Sequence, residues 1–415
     1  MKQSGFNIVI LLLIGLSGCN QDISVSNSIK VEINTDTPYE LLKKEDASCV
    51  FCMTDTMLHT FSDNNAKIKL RGNSTAEFPK RPFTLKLSKN SSLCGMPEAK
   101  KWVLLANYFD KTMLRNALAF KMSEDSKLTW TPHFRFVELY YNGVHNGTYQ
   151  LCEKVEVNNR RVEVPPDGWL IEVDARVTEE DTYFTTNHME HPFRIDYPDK
   201  NYSTEQIEQI HNFIQQAEDV LFGEHFTNPD TGWRKYLDEE SWIDWLLINE
   251  IAKNGDGNFY SSCWMHSGSD GKILMGPIWD YDTCFGNNIY EKPRNPEGFY
   301  VLEAQWFMRL MEDPLFAQDV RERFLFFYNN RSMYYDFIRK NALRLRSAVD
   351  NNDTIWHTIG TQISPYLVPN QTYDEDIEEL IQWLQKRFEW LKNNFNRIHI
   401  LQDEKLYTIQ GQRIK

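Results

Sequence analysis

The most informative stretch of this 415-residue chain is Gly276-Pro277-Ile278-Trp279-Asp280-Tyr281-Asp282. It follows an apolar run at 271–276 that is typical of a strand, and the Gly-Pro pair ends that strand. Two carboxylates placed two residues apart at this point can hold a divalent cation. Mg²⁺ prefers oxygen ligands in near-octahedral geometry, usually one or two carboxylates together with substrate phosphates. The stretch therefore predicts phosphate chemistry at the end of a strand, with Asp280 and Asp282 as the candidate carboxylates.

A third carboxylate, Asp256, lies 24 residues before Asp280 on the turn Asn254-Gly255-Asp256-Gly257-Asn258. On a glycine-rich turn it can serve as a further metal ligand or as a general base. The alternative for Asp256 is an ordinary loop residue, since Asp-Gly is common in turns. For Asp280 and Asp282 the alternative is a capping turn that binds no metal.

Strand patterns dominate the first half of the chain and helical patterns the second. Residues 67–71 and 83–87 alternate apolar and polar side chains, which is typical of half-buried strands. Asn142-Gly143 separates two strand-like runs and predicts a β-hairpin. In the second half, apolar residues recur at helical spacing, most clearly over 375–398. Runs of strands followed by runs of helices predict an α+β fold with a strand-rich N-terminal part and a helix-rich C-terminal part.

Charge and cysteine usage narrow the range of partners. The formal net charge is −14 at pH 7, which argues against nucleic acid and anionic membranes as broad partners. An acidic chain that handles phosphate must concentrate its cations locally, and the region 67–115 does so. Cys49 and Cys52 form a lone CxxC pair, which is weak evidence for a redox or zinc site. Export would permit disulfides, and their pairing stays open.

The N-terminus has the pattern of a bacterial lipoprotein. Residues 1–18 combine a basic start, a short apolar run and small residues before Cys19, which predicts a lipoprotein signal peptide and lipidation at Cys19. We therefore expect a protein held in the cell envelope by a lipid anchor. Residues 19–30 are the expected tether, 31–400 the folded domain and 401–415 a short tail. The tail resembles the endings of exported Bacteroidetes proteins. We therefore expect the lipid anchor to hold the protein at the outer membrane.

Several motifs, taken in order, resemble the CotH-type family of atypical protein kinases, which is related to spore coat protein H and phosphorylates spore-coat proteins. The matching pieces are Arg71-Gly72-Asn73-Ser74-Thr75, Trp102-Val103-Leu104-Leu105-Ala106, Gly147-Thr148-Tyr149-Gln150-Leu151, Asn249-Glu250 with Asp256, and 276–282 with Phe285-Gly286. They cover about residues 31–340. The resemblance implies a remodelled, atypical protein-kinase-like fold that binds ATP and a divalent metal, Mg²⁺ or Mn²⁺.

The resemblance also implies roles for individual residues. Asp280 is the expected principal metal ligand, Asp282 a second ligand or a support, and Asn258 a ligand of a second metal. Asp256 is the expected base that accepts the proton of the substrate hydroxyl. Phosphoryl transfer requires mainly positioning and charge neutralisation from the protein.

Cations must also meet the phosphates of ATP. The available set, expected to be cofactor-binding, is Arg71, Lys80, Lys86, Arg115 and Lys154. Lys86 is expected to share a strand face with Arg71. The alternative for Lys80 and Lys86 is a solvated strand charge, and Arg115 can instead pair with Asp110 or Glu250. The backbone N–H groups of residues 72–75 can cradle a phosphate.

Three functions are compatible with these patterns. The first is a lipid-anchored protein kinase that transfers the γ-phosphoryl group of ATP to Ser or Thr of an envelope or secreted protein. The second is a non-catalytic, kinase-like surface lipoprotein that binds glycan or protein as an adhesin. The third, a metal-dependent hydrolase, has no additional His or nucleophile to support it. The presence of both Asp256 and Asp280 favours the kinase.

Overall fold

The strands of this chain precede most of its helices, as the computed structural model of residues 28–198, 203–364 and 367–395 shows. This confirms the predicted mixture of strands and helices, with a strand-rich N-terminal part and a helical C-terminal part. Cys19, the predicted signal peptide at 1–18 and the predicted tail at 401–415 lie outside the described residues. The first strand begins at Ile29, two residues inside the expected tether, because Ile29 pairs with Val137 of another strand.

Seven strands of the N-terminal part form a closed barrel. They are β1 (Ile29–Asn34), β2 (Ala47–Thr54), β3 (Thr60–Leu70), β4 (Phe83–Ser91), β5 (Ala99–Leu105), β6 (Phe134–Tyr141) and β7 (Val144–Glu153). Their order around the barrel is β1-β2-β3-β4-β5-β7-β6. Neighbours are antiparallel except β1 and β6, which pair in parallel and close the barrel. The predicted hairpin at Asn142-Gly143 is confirmed as the connection between β6 and β7.

The alternating pattern of these strands produces the barrel core. Val31, Ile33, Ile68, Leu85 and Leu139 point inward and are fully buried. Closure leaves no barrel strand with an unpaired edge, so the apolar face of each strand packs against the others.

A second sheet of five strands follows, in the order β12-β11-β8-β10-β9. Its strands are β8 (Leu170–Val173), β9 (Tyr183–Phe184), β10 (Phe193–Tyr197), β11 (Cys263–Ser267) and β12 (Ile273–Met275). The turn that carries Asp256 directly precedes β11, and the stretch that carries Asp280 directly follows β12. The sheet therefore brings together two parts of the chain that the motifs place 24 residues apart.

Eight α-helices complete the described fold. They are α1 (Arg115–Glu124), α2 (Thr204–Phe222), α3 (Glu239–Ala252), α4 (Glu291–Arg294), α5 (Gln305–Leu310), α6 (Pro314–Asn329), α7 (Arg331–Trp356) and α8 (Tyr373–Phe395). Helix α3 is buried along nearly its whole length. Beside it, Phe259 packs against both Trp245 and Phe307 at ring-centroid distances of 5.8 and 5.3 Å, which anchors the loop after Asp256.

The structure also shows the state of the cysteines and the point at which α1 begins. The six cysteines within the described residues are free, and Cys49 faces the barrel core whereas Cys52 faces outward, so this pair does not act as one site. Helix α1 begins at Arg115, so Asp110 is not its N-cap. None of the helices in the described ranges is long and apolar enough to cross a membrane.

Candidate active site

The segment that carries Asp280 and Asp282 is fixed between two helices. The Tyr281 backbone N–H donates to Oδ1 of Asn116 in α1 at 2.8 Å. The Tyr281 hydroxyl donates to Oδ1 of Asn249 in α3, also at 2.8 Å. Asp280 itself has a φ of 70°, in the left-handed region that costs a non-glycine residue conformational energy. The surrounding hydrogen bonds hold this backbone, so the two carboxylates are fixed in direction.

Asp280 and Asp282 both line a cavity where the barrel meets the helical part. Its volume is about 60 Å³. Residues of the β3–β4 connection, of the segment between β5 and α1, and of the 279–282 stretch form its walls. Its other lining residues include Arg71, Gly72, Thr75, Phe78, Lys80, Asn107, Tyr108, Phe109, Asn116 and Trp279. The cavity thus combines cations, carboxylates and aromatic rings.

Burial disfavours the charged form of both carboxyl groups. Burial raises the pKa of Asp280, and Arg71, Arg176 and a hydrogen bond with Asp282 act against that rise. Burial also raises the pKa of Asp282 well above its ordinary value, and the charge of Asp280 raises it further. Two buried carboxyl groups of this kind are stabilised by a shared cation.

A cation bound here would need further ligands. No group of three or more His, Cys, Asp or Glu side chains within the described ranges could hold a metal by itself. Mg²⁺ commonly takes one or two carboxylates and completes its shell with water and phosphate oxygens. The donor set of Asp280 and Asp282 fits that use, and the assignment of both as ligands stays a prediction.

Arg71 also indicates that the cavity binds a small molecule or ion. It immediately follows β3, and its guanidinium lies 5.2 Å from the ring centroid of Trp279. Its Nη1 is buried and has no hydrogen-bond partner among the described residues. Burial lowers the pKa of Arg71. An unpartnered N–H of a buried guanidinium is costly, and a phosphate in the adjoining cavity would satisfy it.

The turn after Arg71 also borders the cavity. Gly72 has a φ of 85°, and a Cβ at this position would lie only 2.1 Å from Oγ1 of Thr75. The position therefore requires glycine, which lets the backbone approach the cavity closely. Residues Ser74–Glu77 form a short 3₁₀ turn. This geometry is compatible with a backbone phosphate cradle.

Asp256 occupies the predicted turn at the C-terminal side of α3. Its backbone N–H bonds to Oδ1 of Asn254 at 3.1 Å, and the Tyr300 hydroxyl donates to the Gly255 carbonyl at 3.2 Å. Burial, followed by the charge of Asp280, raises the pKa of Asp256 to about 6. Oδ2 of Asp256 lies 3.5 Å from Nη2 of Arg176. Asp256 is therefore within electrostatic reach of Asp280 and has a pKa suited to a base near neutral pH.

Of the other predicted cations in the described ranges, only Lys80 is among the residues that line the cavity. Lys80 lines the cavity, with Nζ donating to the Thr148 carbonyl at 2.5 Å, and burial lowers its pKa to about 7. Lys154 is mostly buried after β7, and burial lowers its pKa as well. Arg115 takes the alternative that the sequence left open, because its Nη1 pairs with Asp110 at 2.6 Å. Arg115 therefore fastens the start of α1.

Lys86 and Asn258 do not reach the cavity. Lys86 lies on the outer face of the barrel, with Nζ 4.0 Å from Asp46. Its side chain is 40% exposed, so the expectation that it meets phosphate is not supported by its position. Asn258 is exposed on the turn and does not line the cavity. This position is compatible with the alternative of a solvated strand charge for Lys86.

Sequence reasoning missed Arg176. It follows β8 by three residues, and no motif marks it. The only signal is the alternation of charge in Asp174-Ala175-Arg176 directly after a buried strand. The position of Arg176 next to Asp256 depends on the pairing of β8 with β11.

Comparison with known families gives one finding. The family described as CotH kinase protein matches this chain over residues 68–391, which is more than half of its length. No curated protein matches the chain. The matched range contains Arg71, Lys80, Asp256, Asp280 and Asp282.

Proposed function

Because this chain belongs to the CotH kinase protein family, we propose that it is an atypical protein kinase with a kinase-like fold. Its reaction is the transfer of the γ-phosphoryl group of ATP to Ser or Thr side chains of envelope or secreted proteins, assisted by a divalent metal. The observation that carries the proposal is a single cavity lined by two carboxylates, of which Asp282 is buried, and by an arginine whose Nη1 lacks a hydrogen-bond partner within the described residues.

Each residue of the site has one task in this reaction. Asp280 and Asp282 would hold Mg²⁺ or Mn²⁺, which neutralises phosphate charge when bound. Arg71 and the backbone after it bind phosphate oxygens, and Lys80 supplies a further positive charge when protonated. Asp256 accepts the proton of the substrate hydroxyl, a task for which its pKa of about 6 leaves it mostly ionised at neutral pH.

The size of the cavity adds a conformational step to the proposal. Sites for small molecules and cofactors usually enclose about 300–1,000 Å³. The cavity here has about 60 Å³, so a nucleotide enters only if the barrel and the helical part separate or the side chains at the cavity rearrange.

The small cavity also favours a second candidate. This is a non-catalytic, kinase-like surface lipoprotein that binds glycan or protein. The tryptophans offer it little support, since Trp102, Trp233, Trp242, Trp245 and Trp306 are fully buried and pack the core. Either function is proposed to act in the cell envelope, with lipidation at Cys19 as the anchor to the outer membrane.

Isothermal titration of the full chain with ATP tests the proposal. The titration is run with and without Mg²⁺ or Mn²⁺, beside Asp280→Asn and Asp256→Asn variants. We expect metal-dependent binding that Asp280→Asn abolishes. Asp256→Asn should retain this binding but lose phosphoryl transfer. No binding by the parent chain under either condition would favour the non-catalytic candidate. Equal loss in both variants would make Asp256 a ligand of the metal or nucleotide and not a base.

A further inference from the structure

Arg176 lies beside the proposed base, in a position that the sequence motifs did not single out. Its Nη2 is 3.5 Å from Oδ2 of Asp256, which is an ion pair longer than an ordinary hydrogen bond. Its side chain is 36% exposed, so it faces the solvent side of the site. Among the described residues, its Nε has no hydrogen-bond acceptor. Arg176 therefore has donors to spare next to the group that would receive the substrate proton.

The backbone around Arg176 is tied to the same loop as Asp256. The Ala175 N–H donates to the Tyr260 carbonyl at 2.7 Å, four residues after Asp256. Nη1 of Arg176 donates to Oγ of Ser261 at 3.0 Å. The guanidinium also lies 5.2 Å from the ring centroid of Tyr260. These contacts fix the guanidinium relative to Asp256 without using all of its donors.

A cluster of acidic side chains next to Arg176 attracts its positively charged guanidinium. Asp174 accepts from the Arg176 N–H at 3.0 Å and from the Ser261 hydroxyl at 3.0 Å. Arg194 pairs with Asp174 and also with Glu172 and Asp196. Burial raises the pKa of Glu172 well above its ordinary value, so the excess of negative charge in that cluster rests on Asp174 and Asp196 around one arginine. The excess retains Arg176 by Coulomb attraction even before any phosphate is bound.

Arg176 acts electrostatically on both functional carboxylates. Its guanidinium lies 3.5 Å from the carboxylate of Asp256, and its positive charge also acts on Asp280. Arg71 acts on Asp280 from the barrel side of the cavity. Arg71 lines the cavity with Asp280, and Arg176 pairs with Asp256, so one arginine lies at each end of the space between the proposed metal ligand and the proposed base. During phosphoryl transfer this space holds the transferring phosphoryl group. The oxygens of that group carry negative charge, which an arginine stabilises well.

We propose that Arg176 is a further catalytic residue that contacts the transferred phosphoryl group. This inference rests on the proposed function. The oxygen of the substrate Ser or Thr forms a bond to the γ-phosphorus while the bond from that phosphorus to the bridging oxygen of ADP breaks. The electron pair of the broken bond stays on ADP, and the hydroxyl proton passes to Asp256. Arg176 donates N–H groups to the equatorial oxygens of the phosphoryl group during the transfer.

Binding of a transition-state mimic separates this role from simple positioning. The full chain is titrated with Mg·ADP alone and with Mg·ADP plus aluminium fluoride, which imitates the transferring group. We expect aluminium fluoride to tighten binding in the parent chain. In Arg176→Gln we expect about 10- to 100-fold of that tightening to be lost, the value of hydrogen bonds to a charged group, while affinity for Mg·ADP alone is unchanged. Arg176→Lys should keep part of the effect, since it retains the charge but not the fork.

A matched control checks the specificity of the loss. Arg339 in α7 is 52% exposed and lies 3.8 Å from Asp336, and Arg339→Gln should leave both titrations unchanged. Equal tightening in Arg176→Gln and the parent chain would overturn the role of Arg176 and leave the proposed function standing. Equal loss of Mg·ADP binding itself would also overturn it, since Arg176 would then be a ground-state ligand. A parent chain that binds neither ligand would overturn the proposed function and this inference together.

Discussion

Lys80 gives the sharpest test of how the buried charges of this site behave. Its side chain is 1% exposed, and its Nζ donates to the Thr148 carbonyl and lies 4.7 Å from the ring centroid of Tyr149. Burial lowers its pKa from 10.5 to about 7, and Glu138 only partly opposes this. The unfolded chain therefore binds more protons than the folded chain between pH 7 and 10.5, so the contribution of Lys80 to stability rises with pH in that window.

The size of this effect follows from linkage. One pKa unit corresponds to about 1.4 kcal/mol, and a group that titrates near 7 when folded and near 10.5 when unfolded gains about 2 kcal/mol between pH 7 and 9. Replacement by methionine removes the titration and leaves a side chain of similar length. We therefore expect Lys80→Met to be more stable than the parent chain at pH 7, by an amount that shrinks by about 2 kcal/mol at pH 9.

Urea unfolding of both proteins, monitored by fluorescence in reducing buffer, measures the difference at each pH. Other groups also titrate in this range, and their contributions cancel in the difference between the two proteins. Lys67→Met is the matched control, because Lys67 lies on the outer face of the barrel with a side chain that is 49% exposed. A difference for Lys80→Met that stays constant or grows from pH 7 to 9 would refute the reasoning, since Lys80 would then keep its charge when buried.

Three further changes test the site and its supports. Arg71→Met should weaken binding of Mg·ATP about 10- to 100-fold in titration calorimetry without lowering stability, because Nη1 of Arg71 is buried and has no hydrogen-bond partner in the described part of the chain. Arg387→Met should lower the free energy of unfolding by about 3–5 kcal/mol in urea titrations, because it leaves the fully buried Glu250 without its ion-pair partner. The double variant that also carries Glu250→Gln should regain part of this loss. Gly286→Ala should cost about 1–3 kcal/mol in the same assay, because Gly286 has a φ of 86° and a Cβ there would lie 2.6 Å from Cδ1 of Trp383; an unchanged stability would contradict the strain.

The sequence by itself determined the local elements and the carboxylates of the site. Alternating residues in β3 and β4, the Asn-Gly turn before β7 and the amphipathic α8 are local patterns, and each depends on chemistry within a few residues. Asp256, Asp280 and Asp282 were found because each follows a recognisable break in such a pattern. A turn or strand end exposes a polar side chain wherever it occurs, so its chemistry is readable before the fold is known.

Only the tertiary structure decided which cations meet those carboxylates. The alternation correctly places Lys86 on the outer face of β4, but its partner in β3 is Lys67, four residues before Arg71. At about 3.3 Å per residue this separation is about 13 Å, too far for both to contact one phosphate. Arg176 reaches Asp256 through the pairing of β8 with β11, two strands that are far apart in sequence. Periodicity specifies the face of a strand, whereas the register and partner of that strand depend on packing of the whole chain.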